Sequence, residues 1–369
     1  MTDLLAEALH RLARGNSTDF DAYLYCVERD GLVDETKVSA HCHCVKLDGN
    51  GRPRVEGFVE ALACSLLDYA IPRKAIHDAQ KEDMRTGSSQ CVVRLAAKAR
   101  KLFSDIEMSG EGGELLLFAI SEKILGLPQL VCKMELKTNS RMHIHGADGL
   151  HAGVNENTGN LVLYFGESKI FRNVSEAIRN CLKSLAPMLL DHQASTNDLH
   201  LLERHLDVDD TKLENALKSM LDPDNPQFNT VEFRGLCLVG FDCDAYTKYS
   251  ATLDIDTVVG AIKKALPSWK KHVAKRVSDE QLVAFSMHFF LVPFPSVDEF
   301  RRRFRSSLGF ESLPSKAAME TINPLGSSLS PSGSRSATRT KRRDGQYRAS
   351  VGRPTRKKKT EGVRTRGAS

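Results

Sequence analysis

The stretch between residues 114 and 186 constrains the fold more than any other part of the chain, because its hydrophobic periodicity changes from helix to strand and back. Helices are predicted at its two ends, at Glu114–Leu125 and Val174–Ala186. Three strands are predicted between them: Leu130–Lys137, Gly146–Val154 and Asn160–Phe165. The order of helix, three strands and helix indicates a mixed α/β (α+β) fold.

Glycine and proline mark the ends of these two helices. Gly112 and Gly113 come before the first helix, so that Glu114 opens it, and Gly126 follows its last residue. Pro187 should kink or end the second helix, because proline cannot donate the backbone hydrogen bond that a helix interior needs.

The segments on either side continue the α/β pattern. The N-terminal part is predicted to contain a strand and three helices: Thr36–Lys46, Val55–Tyr69, a helix beginning near Pro72, and Ser88–Phe103. The C-terminal part is predicted to contain five elements in this order: an acidic helical insertion (198–221), a strand (Val231–Phe241), a helix (Thr257–Ala274), a strand (Leu282–Val292) and a basic helix after Pro295. We therefore predict an N-terminal α+β region (1–105), a core with C-terminal elaborations (106–320) and a tail (321–369).

The tail has a composition unlike that of the rest. From Ser330 to Ser369 it has 13 basic residues against 2 acidic ones, a net charge of +11, whereas the rest of the chain has 39 against 45 and is mildly acidic. With so few large apolar residues it cannot offset the entropy lost on ordering, so we expect it to be disordered. Gly352-Arg353-Pro354 resembles the core of an AT-hook, but Val351 stands where a basic residue is usual, and a generic polycation attracted to phosphate is favoured.

The overall composition excludes a membrane-spanning chain. Hydrophobic residues make up 41% of the sequence and charged residues 27%, as in ordinary globular proteins, and no apolar run approaches the length that spans a bilayer. The acidic, amphipathic N-terminus lacks the features of a signal peptide. The nine cysteines, an odd number scattered through apolar runs, indicate buried free thiols in a reducing cytoplasm.

Glu167-Ser168-Lys169 is the motif that indicates chemistry. It ends the apolar run Leu161–Phe165 and lies 19 residues after Asp148. Residues two apart in a strand point to the same face, so Glu167 and Lys169 should project together. An acid, a second acid on the next strand and a lysine two residues on form a pattern typical of metal-dependent nucleases.

Carboxylates are the oxygen ligands that Mg²⁺ prefers. We predict that Asp148 and Glu167 bind Mg²⁺ (or Mn²⁺) directly and that Glu114 completes the site directly or through water. Lys169 would orient or help activate the attacking water, with a pKa lowered by partial burial. Glu111 competes with Glu114 as the helix carboxylate, and Glu114 is preferred because it comes directly before the apolar run.

Other motifs allow alternatives. His143-Ile144-His145-Gly146-Ala147-Asp148 partly matches the metallo-β-lactamase motif, but Gly149 replaces the final histidine, so these histidines are predicted to flank the site or bind phosphate. His41-Cys42-His43-Cys44 would place cysteines and histidines on opposite faces of a strand, which favours buried thiols and exposed imidazoles over a metal site. The pair Asp242 and Asp244 is explained by a strand end.

Two basic features of the sequence each have two possible interpretations. Lys133 could contact DNA or belong to a solvated face. Arg301, Arg302, Arg303 and Arg305 make the last helix basic, either to bind phosphate or to meet acidic groups of a partner.

Three segments carry a resemblance to a known family: Gly113–Leu117, Ser140–Leu150 and Leu163–Lys169. They resemble the HamA effectors of bacterial Hachiman antiphage defence, a family similar to the PD-(D/E)XK restriction-endonuclease-like nucleases. The resemblance covers roughly residues 20–310 and is strongest at 110–175. It implies a PD-(D/E)XK core and a Mg²⁺-dependent DNA endonuclease that works beside a superfamily 2 helicase (HamB-like), which restrains the nuclease until aberrant DNA is sensed.

The resemblance implies a counterpart in this sequence for each residue of the family's motif. Asp148, Glu167 and Lys169 match the signature acid, acid and lysine, and Glu114 matches the first-helix glutamate; no proline precedes Asp148, and the basic tail lies outside the resemblance. The absence of a recognisable base-reading module predicts cleavage without sequence specificity. The rival hypothesis is a non-catalytic nucleic-acid-binding or scaffold subunit of a helicase complex, in which these four residues are surface groups.

Overall fold

The computed structural model describes residues 2–16, 18–103, 110–132, 134, 146–191, 205–246 and 253–310. These residues form a mixed α/β fold with one six-stranded sheet. The helices are α1 (Thr2–Leu12), α2 (Val55–Ala63), α3 (Leu66–Ala70), α4 (Arg73–Thr86), α5 (Gln90–Lys101), α6 (Glu111–Leu125), α7 (Val174–Leu190), α8 (Thr211–Leu221), α9 (Ile255–Asp279) and α10 (Val297–Ser307). The strands are β1 (Leu24–Leu32), β2 (Val38–Val45), β3 (Gly149–Val154), β4 (Leu161–Ile170), β5 (Glu232–Asp242) and β6 (Met287–Phe294).

The sheet has the strand order β1-β2-β6-β5-β4-β3. Its central pairs, β2–β6, β6–β5 and β5–β4, are parallel, and its outer pairs, β1–β2 and β3–β4, are antiparallel. Parallel strands are usually covered on both faces and therefore have nearly continuous apolar sequences. β6 fits this rule, since seven of its eight residues are buried.

Helices α6 and α7 cover opposite faces of the sheet. Gly166 and Phe165 of β4 point to opposite faces because side chains alternate along a strand. A Cβ on Gly166 would lie 3.0 Å from Leu117 of α6. A Cβ on Gly235, the β5 partner of Phe165, would lie 2.8 Å from Leu185 of α7. The C-terminal end of β4 is therefore enclosed by α6 on one side and α7 on the other.

A buried ion network fixes the C-terminal half of α6. The Glu122 carboxylate accepts hydrogen bonds from the backbone, Nε and Nη2 of Arg14 at 2.8, 3.0 and 2.9 Å, and from the Gln129 backbone at 2.9 Å. Arg73 at the start of α4 reaches the same carboxylate at 3.4 Å. Burial would raise the pKa of Glu122, but the charge and hydrogen bonds of Arg14, with Arg73, hold it below its usual value. The network joins two distant segments, at Arg14 and Arg73, to the helix that carries Glu114.

Most of the predicted elements are confirmed, with shifted ends. The predicted strands at Thr36–Lys46 and Val231–Phe241 correspond to β2 and β5, and the basic helix after Pro295 is α10. The predicted strand Leu282–Val292 starts later, at Met287, because residues before it form a turn. Helix α6 begins at Glu111, so Gly112 and Gly113 lie inside its first turn and Glu114 does not open it.

Four predictions differ from the structure. Val55–Tyr69 is two helices rather than one, α2 and α3. Of the two alternatives for Pro187, a kink or an end of the helix, the end is wrong, because α7 continues to Leu190. In the predicted strand Leu130–Lys137, the described residues contribute one isolated bridge, from Val131 to Leu206, and the rest lies outside the described part of the chain. β1 was not predicted, because its edge position allows charged residues and a bulge, at which Asp30 has a φ of 53°.

The cysteines agree with the prediction of free thiols. None of the nine forms a disulfide, and six of them are buried. In the part of the chain that the structure describes, every helix is too short or too polar to cross a lipid bilayer. The tail, residues 321–369, and most of the insertion before α8 lie outside the described residues, so their predictions and the proposed domain boundaries stay predictions.

Candidate active site

A cavity of about 280 Å³ opens at the C-terminal end of β4. Asp148, just before β3, and the end of β4 form one wall, the first turn of α6 forms the second, and α10 forms the third. Six of its polar lining residues matter for the chemistry: Glu114, Asp148, Ser168, Lys169, Arg301 and Arg305. Three of the four predicted site residues therefore line one cavity, and the fourth, Glu167, lies next to it through Lys169.

Asp148 is held at the sheet edge, one residue before β3. Its Oδ2 accepts hydrogen bonds from the backbone N–H of Ser168 at 2.8 Å and from the Ser168 hydroxyl at 2.7 Å. Its own backbone N–H donates to Gly166 at 2.8 Å. These contacts fix the carboxylate against the end of β4, because two donors from one residue meet the same oxygen.

Glu167 and Lys169 form an ion pair on one face of β4, as the alternation of a strand predicts. Glu167 is only 2% exposed, whereas the Lys169 side chain is 27% exposed. Burial would lower the pKa of Lys169, but the hydrogen bond and charge of Glu167, with Asp148, raise it above its usual value. The lowered pKa expected for Lys169 is therefore wrong for this structure, because the expectation counted burial and left out the adjacent carboxylate.

Glu114 is the α6 carboxylate that reaches the cavity. Its Oε2 accepts a hydrogen bond from the Tyr69 hydroxyl at 2.9 Å. Glu111, the competing residue, is buried in the first turn and does not line the cavity. Gly113 allows the close approach of α6, since a Cβ there would lie 3.1 Å from the Ser168 hydroxyl.

The candidate residues surround the end of β4 rather than share one face of the sheet. Ser168 points toward α6, on the same side as Glu114. Glu167 and Lys169 point to the other side, toward α7, because alternate residues face opposite ways. Asp148 is bonded to Ser168, and its charge is among those that raise the pKa of Lys169.

The residue types fit a hard divalent cation, because carboxylate oxygens are the ligands that Mg²⁺ prefers and two of them line the same cavity. The three acids do not yet converge on one point. Among the described residues, only Asp30, His41 and His288 form a group of three in which the potential ligand atoms all lie within 4.8 Å of one another. Glu167 would have to open its ion pair with Lys169 before it could bind a cation.

The group formed by Asp30, His41 and His288 is explained by hydrogen bonding. His41 Nδ1 accepts from the backbone N–H of Asp30 at 3.3 Å, so neutral His41 carries its proton on Nε2 and donates it to His288 Nδ1 at 3.0 Å. A metal ion on His41 Nε2 would move that proton to Nδ1, against the Asp30 donor. The geometry therefore favours a hydrogen-bonded imidazole pair.

The same residues correct one prediction about the motif His41-Cys42-His43-Cys44. Its thiols are buried as expected, but the imidazoles of His41 and His43 are buried too, at 0% and 3% exposure. β2 lies between β1 and β6, and Phe290 of β6 stacks on His41 with ring centroids 4.6 Å apart. Burial is the main cause that lowers the pKa of His41 to about 3 and that of His43 to about 4.

Two residues at the site were not found from the sequence. Ser168 lies inside the motif and could have been noticed there, whereas Tyr69 is 45 positions from its partner Glu114 and carries no local signal. Asp242 is explained as a structural residue, since its Oδ1 accepts from the Val297 backbone at the start of α10 at 2.6 Å. Lys133, His143 and His145 lie outside the described residues.

The comparisons with known proteins agree with the resemblance seen in the motifs. A model of the HamA family matches residues 21–308, a range that includes all four candidate site residues. No curated protein matches the chain. Because the match covers well over half of the 369 residues, the chain belongs to the HamA family, whose members are components of Hachiman antiphage defence.

Proposed function

We propose that this protein is a Mg²⁺-dependent DNA endonuclease of the PD-(D/E)XK type that cuts without sequence specificity. It would be the effector of its defence system, restrained by a partner superfamily 2 helicase. One observation carries the proposal: Glu114, Asp148 and Lys169 line a single cavity, and Glu167 is paired directly with Lys169. These are the acid, acid and lysine residue types of a metal-dependent nuclease, and they surround the end of one strand.

Asp148, Glu167 and Glu114 are the residues that would hold the metal. A bound Mg²⁺ stabilises negative charge on a phosphoryl group and lowers the pKa of water. Ser168 holds Asp148 in place, and Tyr69 orients Glu114. Both keep carboxylates turned toward the cavity before any ligand arrives.

Lys169 acts as a cation in this proposal. In this structure the pair with Glu167 raises the pKa of Lys169, so the side chain is an ammonium group at neutral pH. Its charge can neutralise a phosphate oxygen or orient the attacking water through an N–H donor.

The test is cleavage of supercoiled plasmid DNA with Mg²⁺, with and without the partner helicase. We expect the wild-type protein to cut under activating conditions, and the variants Glu167→Ala and Lys169→Ala to lose at least about 100-fold in rate. Glu232 and Arg234 offer a matched control. They form an ion pair with the same spacing of acid and base, but at the N-terminal end of β5 and outside the cavity. Glu232→Ala and Arg234→Ala should cut normally, and cleavage that persists in the Glu167 and Lys169 variants would refute the site.

A second candidate function is a non-catalytic nucleic-acid-binding or scaffold subunit of a helicase complex. The ion pair of Glu167 with Lys169 and the lack of convergence of the three acids favour it. Absence of cleavage in every activating condition, with DNA or helicase binding retained, would support this alternative. Inactivity of the isolated chain does not decide between them, since a restrained nuclease is also quiet alone.

A further inference from the structure

Helix α5 of the N-terminal region carries basic residues and no acidic one. Its exposed side chains include Arg94, Lys98, Arg100 and Lys101, whereas Ala99 is buried on the opposite face. The chain before the tail has more acidic than basic residues, so a helix of this composition is an exception within it. It places a basic surface on an otherwise mildly acidic part of the protein.

The acids of α4, which packs against α5, have other partners or form no pair with it. Asp83 accepts hydrogen bonds at 2.9 Å from two backbone N–H groups in the first turn of α5, and it interacts electrostatically with Arg94. Glu82 pairs with Arg85 of its own helix at 2.6 Å. Among the described residues, Asp78 forms no ion pair with α5. Arg94 therefore has an acidic neighbour, and the cations in the last turn of α5 do not.

These last-turn cations are Lys98, Arg100 and Lys101, here called the α5 cluster. Within the part of the chain that the structure describes, their side chains form no ion pair and no hydrogen bond. Asp105 and Glu107 follow in the sequence, outside the described residues. The α5 cluster thus presents three exposed cations whose hydrogen-bond donors are not used by the described fold.

The helix dipole accounts for only part of this arrangement. The dipole favours cations in the last turn of a helix and acids in its first turn. The first turn of α5 contains no acid. Lys98 and Lys101 are three residues apart and so are neighbours on the helix surface, where like charges repel each other. Helix stability alone therefore does not explain three cations in one turn, whereas an anionic ligand does.

The α5 cluster lies beside one wall of the candidate active site. It ends two residues before Phe103, a span of at most about 7 Å of chain. The ring of Phe103 is buried edge-on against Phe304, with centroids 6.0 Å apart, and Phe304 lines the cavity. Phe103 also lies 6.0 Å from the ring of Tyr69, whose hydroxyl donates to Glu114. A ligand that extends out of the cavity on this side would meet the last turn of α5.

We propose that the α5 cluster binds backbone phosphates of nucleic acid that extends from the candidate active site. The proposal rests on the proposed nuclease function and gives the N-terminal region a part in holding the substrate. Lysine and arginine offer charged N–H donors to phosphate oxygens. Duplex DNA carries one charge per about 1.7 Å of its axis, so several phosphates lie within the length of one helical turn, about 5.4 Å.

Nucleic acid fits the α5 cluster better than an acidic protein does. The scissile phosphodiester of an endonuclease substrate has further phosphates on both sides, and these must pass the walls of the cavity. Contacts with them position the strand without reading its bases, which suits cleavage without sequence specificity.

The test is the salt dependence of DNA affinity, measured with the full-length chain and a labelled duplex in EDTA, which withholds the metal. Each lost phosphate contact should reduce the slope of log affinity against log salt by about 0.9. We expect this reduction for Lys98→Gln and for Lys101→Gln, and about twice as much for the double variant. Lys98→Arg should keep the wild-type slope, because it keeps the charge.

Lys264→Gln is the matched control. Lys264 is an exposed lysine of α9 that does not line the cavity, and its side chain also forms no ion pair among the described residues. The substitution changes the net charge by the same amount as Lys98→Gln, and we expect it to leave the slope unchanged.

The outcomes separate the α5 cluster from the nuclease proposal. Unchanged slopes in folded Lys98→Gln and Lys101→Gln proteins overturn the role of the cluster, even where plasmid cleavage depends on Glu167 and Lys169. An equal reduction in Lys264→Gln also overturns it, because the slope would then follow net charge alone. Unchanged slopes with weakened binding of the partner helicase overturn it too and assign α5 to an acidic protein surface. Reduced slopes in the α5 variants alone support it, whether or not any condition gives cleavage.

Thermal unfolding establishes that each variant is folded. Glutamine has nearly the helix propensity of lysine, and both positions are exposed, so the variants should unfold close to the wild-type temperature. If one of the two variants is unfolded, the other carries the test together with Lys98→Arg.

Discussion

Ser168 binds Asp148 twice, through its backbone N–H at 2.8 Å and its hydroxyl at 2.7 Å, and both bonds end on the same carboxylate oxygen. The serine thus links the first acid of the motif to the strand that carries the second. The middle residue of Glu167-Ser168-Lys169 has a defined structural task on one face of β4 while its neighbours form an ion pair on the other.

Ser168→Ala removes the hydroxyl bond to Asp148 and leaves the backbone bond. We expect the rate of DNA cleavage to fall by about 10- to 100-fold, as is common when a residue that orients a metal ligand is lost. The free energy of unfolding should fall by only about 1 kcal/mol. Ser121→Ala is the control, because Ser121 is also buried and hydrogen-bonded but contacts Leu117 O in α6. Equal loss of activity in both variants would mean that the effect comes from general destabilisation.

Tyr69→Phe removes the donor to Glu114 while its ring still packs against Phe103 and Phe118. With the carboxylate less well oriented, cleavage should slow by about 10-fold, and the Mg²⁺ concentration for half-maximal rate should rise. Tyr246→Phe loses a comparable buried bond, to the Val45 carbonyl, away from the cavity. If Tyr69→Phe has the same Mg²⁺ dependence as the wild type, Tyr69 does not orient Glu114 for metal binding.

Substitutions of Lys169 distinguish two roles of its side chain in cleavage, as a positive charge or as a base. If Lys169 acts through its positive charge, Lys169→Arg should keep at least about 10-fold more cleavage activity than Lys169→Met. Arginine keeps the charge but cannot act as a base near neutral pH. The rates of both variants are measured across pH 6 to 9, a range chosen because it spans neutrality. Equal activity of the two variants would contradict the cationic role.

The buried histidines predict loss of stability in mild acid. Burial lowers the pKa of His43 and of His151 to about 4 in the folded protein. In the unfolded chain each histidine has its ordinary pKa of about 6.5 and takes up a proton below that pH, whereas in the folded protein it stays neutral down to a lower pH. The folded state is therefore fully stable, with respect to these groups, above about pH 6.5, and it loses stability as the pH falls from there toward the pKa in the folded protein. Each histidine should cost about 1 kcal/mol of unfolding free energy between pH 7.5 and pH 5.5.

His43→Leu is the variant that checks this prediction by urea unfolding. Its Nδ1 is buried with no hydrogen-bond partner in the part of the chain that the structure describes, so leucine should be tolerated. We expect a smaller difference in stability between pH 7.5 and pH 5.5 than in the wild type. His10→Leu, at an exposed position of α1, is the control and should leave the difference unchanged. The prediction is wrong if both variants behave alike.

Local patterns predicted much of the fold. Apolar runs identified β2, β4 and β5, and helical spacing identified α7 and α9, because these elements bury residues in a regular period. The missed β1 lies at a sheet edge, where Glu28, Arg29 and Asp30 remain partly solvated and no period develops. The sequence of such a strand does not differ from that of a loop.

Local sequence patterns did not predict how side chains are covered by other parts of the chain. The lowered pKa expected for Lys169 is wrong for a local reason, because the expectation left out the charge of Glu167, two residues away, which outweighs burial. The histidines of β2 were expected to be exposed, and Phe290, which is far along the chain, covers His41. Local alternation assigns a face to a side chain, but it does not tell what covers that face.

The sequence alone determined that Glu167 and Lys169 project together at the end of a buried strand, since a strand alternates its side chains with a period of two residues. Only the tertiary structure decided that Glu114 rather than Glu111 lines the cavity, and that Arg301 and Arg305 line the same cavity as Lys169. These choices depend on how α6 and α10 pack against β4, as in the bond between Arg301 and Ile170, which lie 131 positions apart. The physical reason is that the backbone period is local, whereas the packing of helices on a sheet brings together residues whose separation in sequence carries no signal.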